Sequence, residues 1–310
     1  MFSKVKKAPV IDKSAKNRKL KEYMIGYLFA APVILGIIIY TYVPAVQSFV
    51  YSFFNYDGFY TMNFVGLNNF KVLLTIDPDF WTVVKNTFIY AVCVVPLSLI
   101  VGYLVALTVN NSMKGITVYR MLFYLPVIIP GVASGLLWLD LFEAGPTGIF
   151  NKLLEAVNLP RLAFFSKQET SMATLIATTL WGVGGGMVIW LAAFKNIPVS
   201  LYESAKIDGA NAFMRTIQIT IPLSTPMIFY NLVTGIIGAL QVSSTMIIGG
   251  SSGKGVGDSL YFIAVKIYHD SFGGAFRLGY SSAFAWMLFA VIGLLTFIVF
   301  KTSKWVYYED

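Results

Sequence analysis

Two adjoining stretches decide the fold. Residues 172–195 read MATLIATTLWGVGGGMVIWLAAFK, with no charge until Lys195, and residues 196–226 read NIPVSLYESAKIDGANAFMRTIQITIPLSTP, charged and bounded by prolines. The first is long enough to cross a bilayer, which takes about 20 residues as a helix. Backbone groups in lipid must be satisfied within their own segment, so the run is helical. Five more apolar stretches lie on either side, at 24–54, 84–110, 117–142, 224–248 and 280–302. The expected fold is all-α, a polytopic membrane protein with about six transmembrane helices. A basic tail at 1–23 precedes a six-helix domain at 24–302, which the loop at about 196–222 interrupts, and a short tail at 303–310 follows.

Composition agrees. The 310 residues are 57% hydrophobic and 12% charged, against about 45–50% apolar and about 25% charged for soluble domains. Mean hydropathy is +0.70. The net charge is +8, and eight of the 23 Lys and Arg precede the first apolar run: Lys4, Lys6, Lys7, Lys13, Lys16, Arg18, Lys19 and Lys21. Cations so placed orient a membrane span and do not make a nucleic-acid surface. The first run is too long for a signal-peptide core and lacks a small-residue cleavage site, so it reads as an uncleaved span. With the N-terminus cytoplasmic, fifteen cations fall on the inner side and eight on the outer. That bias implies a multi-pass protein of the cell membrane with both termini cytoplasmic. Trp81, Trp305, Tyr307 and Tyr308 sit where interfacial anchors belong.

Enzyme chemistry has little to work with. Cys93 is the only cysteine, so no intrachain disulfide forms, and its apolar surroundings suit packing; His269 is the only histidine. Asp140 and Glu143 share a helix face but read as solvated charges at the interface. The glycine-rich stretch 249–257 contains Gly253-Lys254, yet Ile248 and Gly255 stand where a phosphate loop needs Gly and Ser or Thr. It reads as a flexible outer loop. No metal site, cofactor or ATPase is implied.

The loop at 196–222 has helix signals of its own. Ser200 and Glu203 have capping-box spacing, Pro198 stands just upstream, and Gly209 suits a left-handed stop. A second short helix is expected from near Ala210 to about Gln218, with Pro222 and Pro226 marking re-entry. Tyr202 is expected to be exposable, and Ala205 and Gly209 are small enough for close approach. A plain amphipathic helix at the membrane surface also satisfies this spacing.

The residues add more. Glu203-Ser204-Ala205, three residues, Gly209, nine residues, then Ile219-Thr220-Ile221-Pro222 resembles the EAA loop of ABC importer permeases, with Ser204 replacing Ala and Ile221 replacing Leu. Asp208-Gly209-Ala210, the segment Phe64-Val65-Gly66-Leu67-Asn68-Asn69-Phe70, Gly279-Tyr280-Ser281-Ser282-Ala283 and terminal Val306-Tyr307-Tyr308-Glu309 are similar to markers of binding-protein-dependent carbohydrate importers of the maltose/oligosaccharide type. The outer loop departs: Gly249-Gly250-Ser251-Ser252-Gly253 stands where the family often has Thr-Gly-Gly-Gly-Pro. The resemblance implies a type I ABC importer permease fold. It also implies a second permease subunit, two ATPase subunits, an extracytoplasmic solute-binding protein and a sugar or oligosaccharide as cargo. It implies ATPase coupling through Tyr202, Glu203, Ala205, Asp208 and Gly209.

In the fifth apolar stretch Asn231, Thr234, Gly235, Gly238, Gln241 and Thr245 recur on one helical face. Polar side chains inside a span avoid lipid, and amides bond sugar hydroxyls in both senses. These six are the expected substrate path, with packing against a partner permease as the other reading. A non-sugar solute such as a glycerol phosphate ester is an alternative cargo. A secondary transporter is disfavoured by the absence of a clear repeat and the scarcity of charges within the spans.

Overall fold

The computed structural model describes residues 13–110, 114–243, 245–250 and 252–307, and the side chains of these residues except 13–20, 245 and 246. Of the N-terminal tail cations Lys4, Lys6 and Lys7 lie outside the described residues, as do Tyr308 and Glu309. The chain forms two compact units that meet between Tyr51 and Ser52.

From Lys13 to Tyr51 the first unit is one long helix. α1 (Lys13–Ile37) continues through a π turn (Ile38–Tyr42) into α2 (Val43–Tyr51). The π turn has a cause in the sequence. Pro44 offers no N–H, and its ring would collide with the carbonyl four residues back. Val43 N–H instead reaches five residues back to the Ile38 carbonyl, which opens the turn ahead of the proline.

The second unit begins with an antiparallel hairpin, β1 (Phe54–Tyr56) and β2 (Met62–Phe64), so the first apolar run ends as helix at Tyr51 and not at residue 54. The Asp57 carboxylate closes the hairpin by accepting the N–H groups of Phe59, Tyr60 and Thr61 at 2.9, 3.0 and 3.1 Å. Those bonds hold its pKa far below the ordinary carboxylate range. α3 (Asn68–Thr75), α4 (Phe80–Asn110), α5 (Ile116–Ile128), α6 (Gly131–Leu141), α7 (Ile149–Ala156), α8 (Gln168–Leu180) and α9 (Gly184–Asn196) follow. Then come α10 (Val199–Ile207), α11 (Ala212–Arg215), α12 (Ile221–Leu223), α13 (Thr225–Leu240), α14 (Thr245–Ile248), α15 (Ile263–Phe272) and α16 (Leu278–Lys301).

Among the described residues, four helical stretches are long and apolar enough to cross a membrane: 21–51, 80–110, 168–196 and 278–301. Two bent pairs bring the number to six. One is α5 and α6, which together fill the apolar stretch expected as one span at 117–142 and meet at 100°. Pro130 is the cause: the residue before a proline is driven out of helical geometry, and Ile129 is extended at φ −73°, ψ 125°. The other pair is Ala212–Leu223 and α13, which meet at 66°. The predicted fifth span also ends early. α13 stops at Leu240, and Gln241, Val242 and Ser243 are not helical. Ser and β-branched side chains in this stretch favour non-helical backbone.

α4 packs against both α9 and α13. α9 also lies against α5 so closely that a Cβ on Gly184 would stand 1.7 Å from the Phe123 carbonyl oxygen. Small residues let helix backbones approach this closely. Cys93 faces outward and is not a packing residue.

A polar cavity above a proline-hinged loop

The loop between α9 and α13 is a compact helical unit. α10 starts at Pro198, whose carbonyl accepts the Leu201 N–H at 3.2 Å. No side chain caps this end. The capping box expected from Ser200 and Glu203 is therefore not formed: Pro198 occupies the N-cap, and Ser200 lies two residues further on, inside the helix. The C-terminus follows the sequence. Gly209 is left-handed at φ +81°. Its N–H bonds the Lys206 carbonyl at 3.1 Å, and the Ala210 N–H bonds the Ala205 carbonyl at 2.8 Å. Glu203, Asp208 and Gly209 are exposed and Ala205 is half-buried. Tyr202, expected to be exposable, is half-buried, and its hydroxyl lies 2.9 Å from Thr220 Oγ1.

The second helix starts two residues later than expected, at Ala212, and Asn211 caps it by accepting the Met214 N–H at 2.9 Å. It does not stop near Gln218. It passes through a second π turn, Thr216–Thr220, into α12. The device is the one seen before Pro44: here Ile221 N–H reaches back to Thr216 O, immediately before Pro222. The bend then falls at Ser224, fully buried at φ −95°, ψ 2°. Pro226 leaves the Pro222 carbonyl without its normal donor. The Thr225 hydroxyl supplies one at 2.7 Å and in turn accepts the Tyr307 N–H at 2.8 Å. Along this loop Val199, Ile207 and Phe213 are exposed apolar side chains, Ile207 at 87%.

Toward the other end of α13, a cavity of about 500 Å³ opens between α4, α8–α9 and α13. Four of the six path residues read from the sequence line it: Asn231, Thr234, Gly235 and Gly238. Gln241 does not, because the helix ends before it, and the Thr245 side chain lies outside the described residues. Asn231 donates to Met227 O at 2.8 Å, and Thr234 donates to Tyr230 O at 2.9 Å. The Asn231 Oδ1 lies beside Gly186, 3.5 Å from where a Cβ would be, and the Trp190 Nε1 lies 3.6 Å from the same point. The opposite wall carries Tyr90, Ser98, Gly102, Thr179 and Gly182. None of the lining residues is Lys, Arg, His, Asp or Glu. Hydroxyls, an amide and aromatic faces suit a neutral polar solute.

A third cluster was not foreseen. Lys266 is 4% exposed on α15. Its Nζ lies 3.0 Å from Asp77 Oδ2, 3.3 Å from Asp270 Oδ2 and 3.9 Å from Asp79 Oδ2. The Tyr280 hydroxyl donates to Asp77, and Arg277 stacks on the Tyr280 ring at 3.8 Å. Burial would raise the Asp77 pKa, but the bonds from Tyr280 and Lys266 outweigh it and hold the carboxyl below its usual range. This network joins the corner between α3 and α4 to α15 and to the start of α16. The one local sequence signal was the i, i+4 pair Lys266–Asp270.

Together the fold, the hinged loop and the polar cavity define a multi-pass membrane permease. The chain belongs to the family described as binding-protein-dependent transport system inner membrane component, which matches residues 98–303. It is 38% identical over 303 residues to the probable ABC transporter permease protein YesP of Bacillus subtilis strain 168, covering 96% of this chain and 97% of that one. It is 28% identical over 297 residues to the lactose transport system permease protein LacF of Rhizobium radiobacter, covering 94% and 98%. Its fold matches a chain in the crystal structure of a bacterial alginate ABC transporter in complex with alginate pentasaccharide-bound periplasmic protein. The TM-score is 0.80 at 23% identity, over 93% of this chain and 96% of that one.

Proposed function

We propose that this chain is one permease subunit of an ATP-driven, binding-protein-dependent importer of neutral sugars or oligosaccharides. A second permease completes the path, two ATPase subunits sit beneath it, and an extracytoplasmic binding protein delivers the solute. Both termini and the loop at 196–222 face the cytoplasm, and ATP is hydrolysed by the partner chains. The observation that carries the cargo is the lining of the 500 Å³ cavity. An anion moved through a site of low dielectric needs a cation beside it. This wall has none, which disfavours a phosphate ester. The relatives include a lactose permease.

The loop supplies the handle. α10 is short, closed by Gly209 and fastened by Tyr202 to the segment that leads into α13. Tyr202, Glu203, Ala205, Asp208 and Gly209 form its ATPase-facing part, and exposed Ile207 and Phe213 offer apolar surface to a cleft. A rigid helix on a bonded tether passes displacement to the spans. The test is reconstitution with the second permease, ATPase and binding protein. ATP hydrolysis would be measured with the binding protein loaded with neutral sugars, uronic acids or glycerol phosphate. Stimulation by the neutral sugars alone is expected. Stimulation by a charged cargo alone would remove the sugar reading.

A further inference from the structure

The floor of the cavity and the bend in the coupling segment touch the same side chain. Tyr103, on α4, sets its ring edge-on to Trp190 at 5.1 Å and to Phe194 at 5.2 Å. Trp190 lines the cavity. The Tyr103 hydroxyl lies 3.0 Å from Ser224 Oγ. Ser224 in turn bonds the Ile221 carbonyl at 3.1 Å. Since the serine proton is used there, Tyr103 is the donor to Ser224. Ser224 is fully buried and is the residue at which the chain turns by 66° between α12 and α13. One turn earlier, Thr220 carries the bond from Tyr202 on α10, and the Ser224 N–H bonds the Thr220 carbonyl at 3.0 Å.

We infer that Tyr103 is a positioning residue of the transport cycle: its hydrogen bond to Ser224 ties the bend below α13 to the Trp190 wall, so that movement of α10 reshapes the cavity. Without it, the bend and the wall have only apolar contact across this point, and apolar contact is not directional. The inference rests on the coupling role proposed above for α10.

The variant that isolates the bond is Tyr103→Phe, which keeps both edge-on ring contacts and removes one hydroxyl. In the complete complex in lipid nanodiscs, with Cys93→Ser, spin labels at Ser98→Cys and Thr234→Cys report the width of the cavity. ATP with vanadate is the only ligand added. Addition is expected to change the label distance in the otherwise native chain. With Tyr103→Phe the shifted population should fall about five-fold, the weight of one hydrogen bond, while ATP hydrolysis continues. Ser224→Ala should give a similar loss, and the two changes together no more than either alone. An unaltered shift in Tyr103→Phe, or additive losses in the double variant, would overturn the inference while leaving the coupling role standing. If the label distance ignores ATP even in the labelled chain that keeps Tyr103 and Ser224, the cavity does not move with the ATPase, and the coupling role fails as well.

Discussion

Tyr202 and Thr220 meet hydroxyl to hydroxyl at 2.9 Å, fastening the helix of the coupling loop to the π turn that leads into the membrane. A helix held this way cannot tilt without moving that turn. Tyr202→Phe is expected to lower ATP-driven uptake about two- to ten-fold with normal assembly, the range set by a net hydrogen-bond contribution of about 0.5–1.5 kcal/mol. Gly209→Pro removes the N–H that closes α10, and Glu203→Lys reverses an exposed charge. Either should abolish stimulated ATP hydrolysis in proteoliposomes. Full activity in both would withdraw these residues from the coupling site.

The cavity makes a separate demand. Asn231→Ala should weaken uptake of a neutral sugar several-fold, the effect of losing an amide bonded to solute. Gly186→Leu puts a branched side chain beside Asn231 Oδ1 and Trp190 Nε1, which would already touch a Cβ at 3.5 and 3.6 Å, and should block uptake. Neither change touches α10, so basal ATP hydrolysis should persist. Initial uptake rates measured beside hydrolysis rates would separate the two sites.

Gly184 tests the fold. A methyl group there would overlap the Phe123 carbonyl oxygen of α5, and backbone does not yield as a flexible side chain does. Gly184→Ala should cost more than the common 1–3 kcal/mol of overpacking and appear as poor membrane yield. Gly182→Ala, with nothing within 4 Å, should express normally.

Lys266 holds three carboxylates on one ammonium. Lys266→Met leaves Asp77 and Asp270 buried without it, and removing one partner of a buried pair costs about 3–5 kcal/mol. The purified variant should melt well below the parent at neutral pH. Asp77→Asn together with Lys266→Met should recover part of the loss.

Acid should act on the same network in a defined direction. The folded-state pKa of Asp77 is depressed, so its contribution is complete above the unfolded value of about 3.9 and is lost as pH falls through the folded one. Thermal midpoints should owe no slope to this group between pH 7 and 5. They should fall below about pH 4, less steeply in Asp77→Asn.

The six apolar runs are legible because lipid requires long uninterrupted hydrophobic sequence, and four of the path residues are legible because α13 keeps its period as far as Leu240. Gln241 leaves the face because the helix ends there, and helix ends among Ser and β-branched residues are the weakest part of a periodicity argument. The bend at Pro130 was marked by its proline but not its angle. Pro198 displaced Ser200 as the cap, since a proline at the boundary settles the backbone before a hydroxyl can compete. Tyr103 and Trp190 gave no signal in a chain where aromatic residues make up 16% of the total. The Lys266 network gave only half of one: Asp270 is a helical neighbour, but Asp77 comes from another element.

The π turn before Pro222 has a consequence for the chain's tolerance of change. A π turn is an α-helix carrying one inserted residue. Deleting a single residue from Thr216–Thr220 would let the backbone relax toward ordinary spacing only by driving the proline ring against a carbonyl. A turn closed five residues back fits one more residue into the same revolution, so such a deletion would keep both flanks in phase and put its cost on the proline. The extra residue of this short stretch is what lets Pro222 stand in a continuous helix while Tyr202 meets Thr220 and Ser224 meets Tyr103.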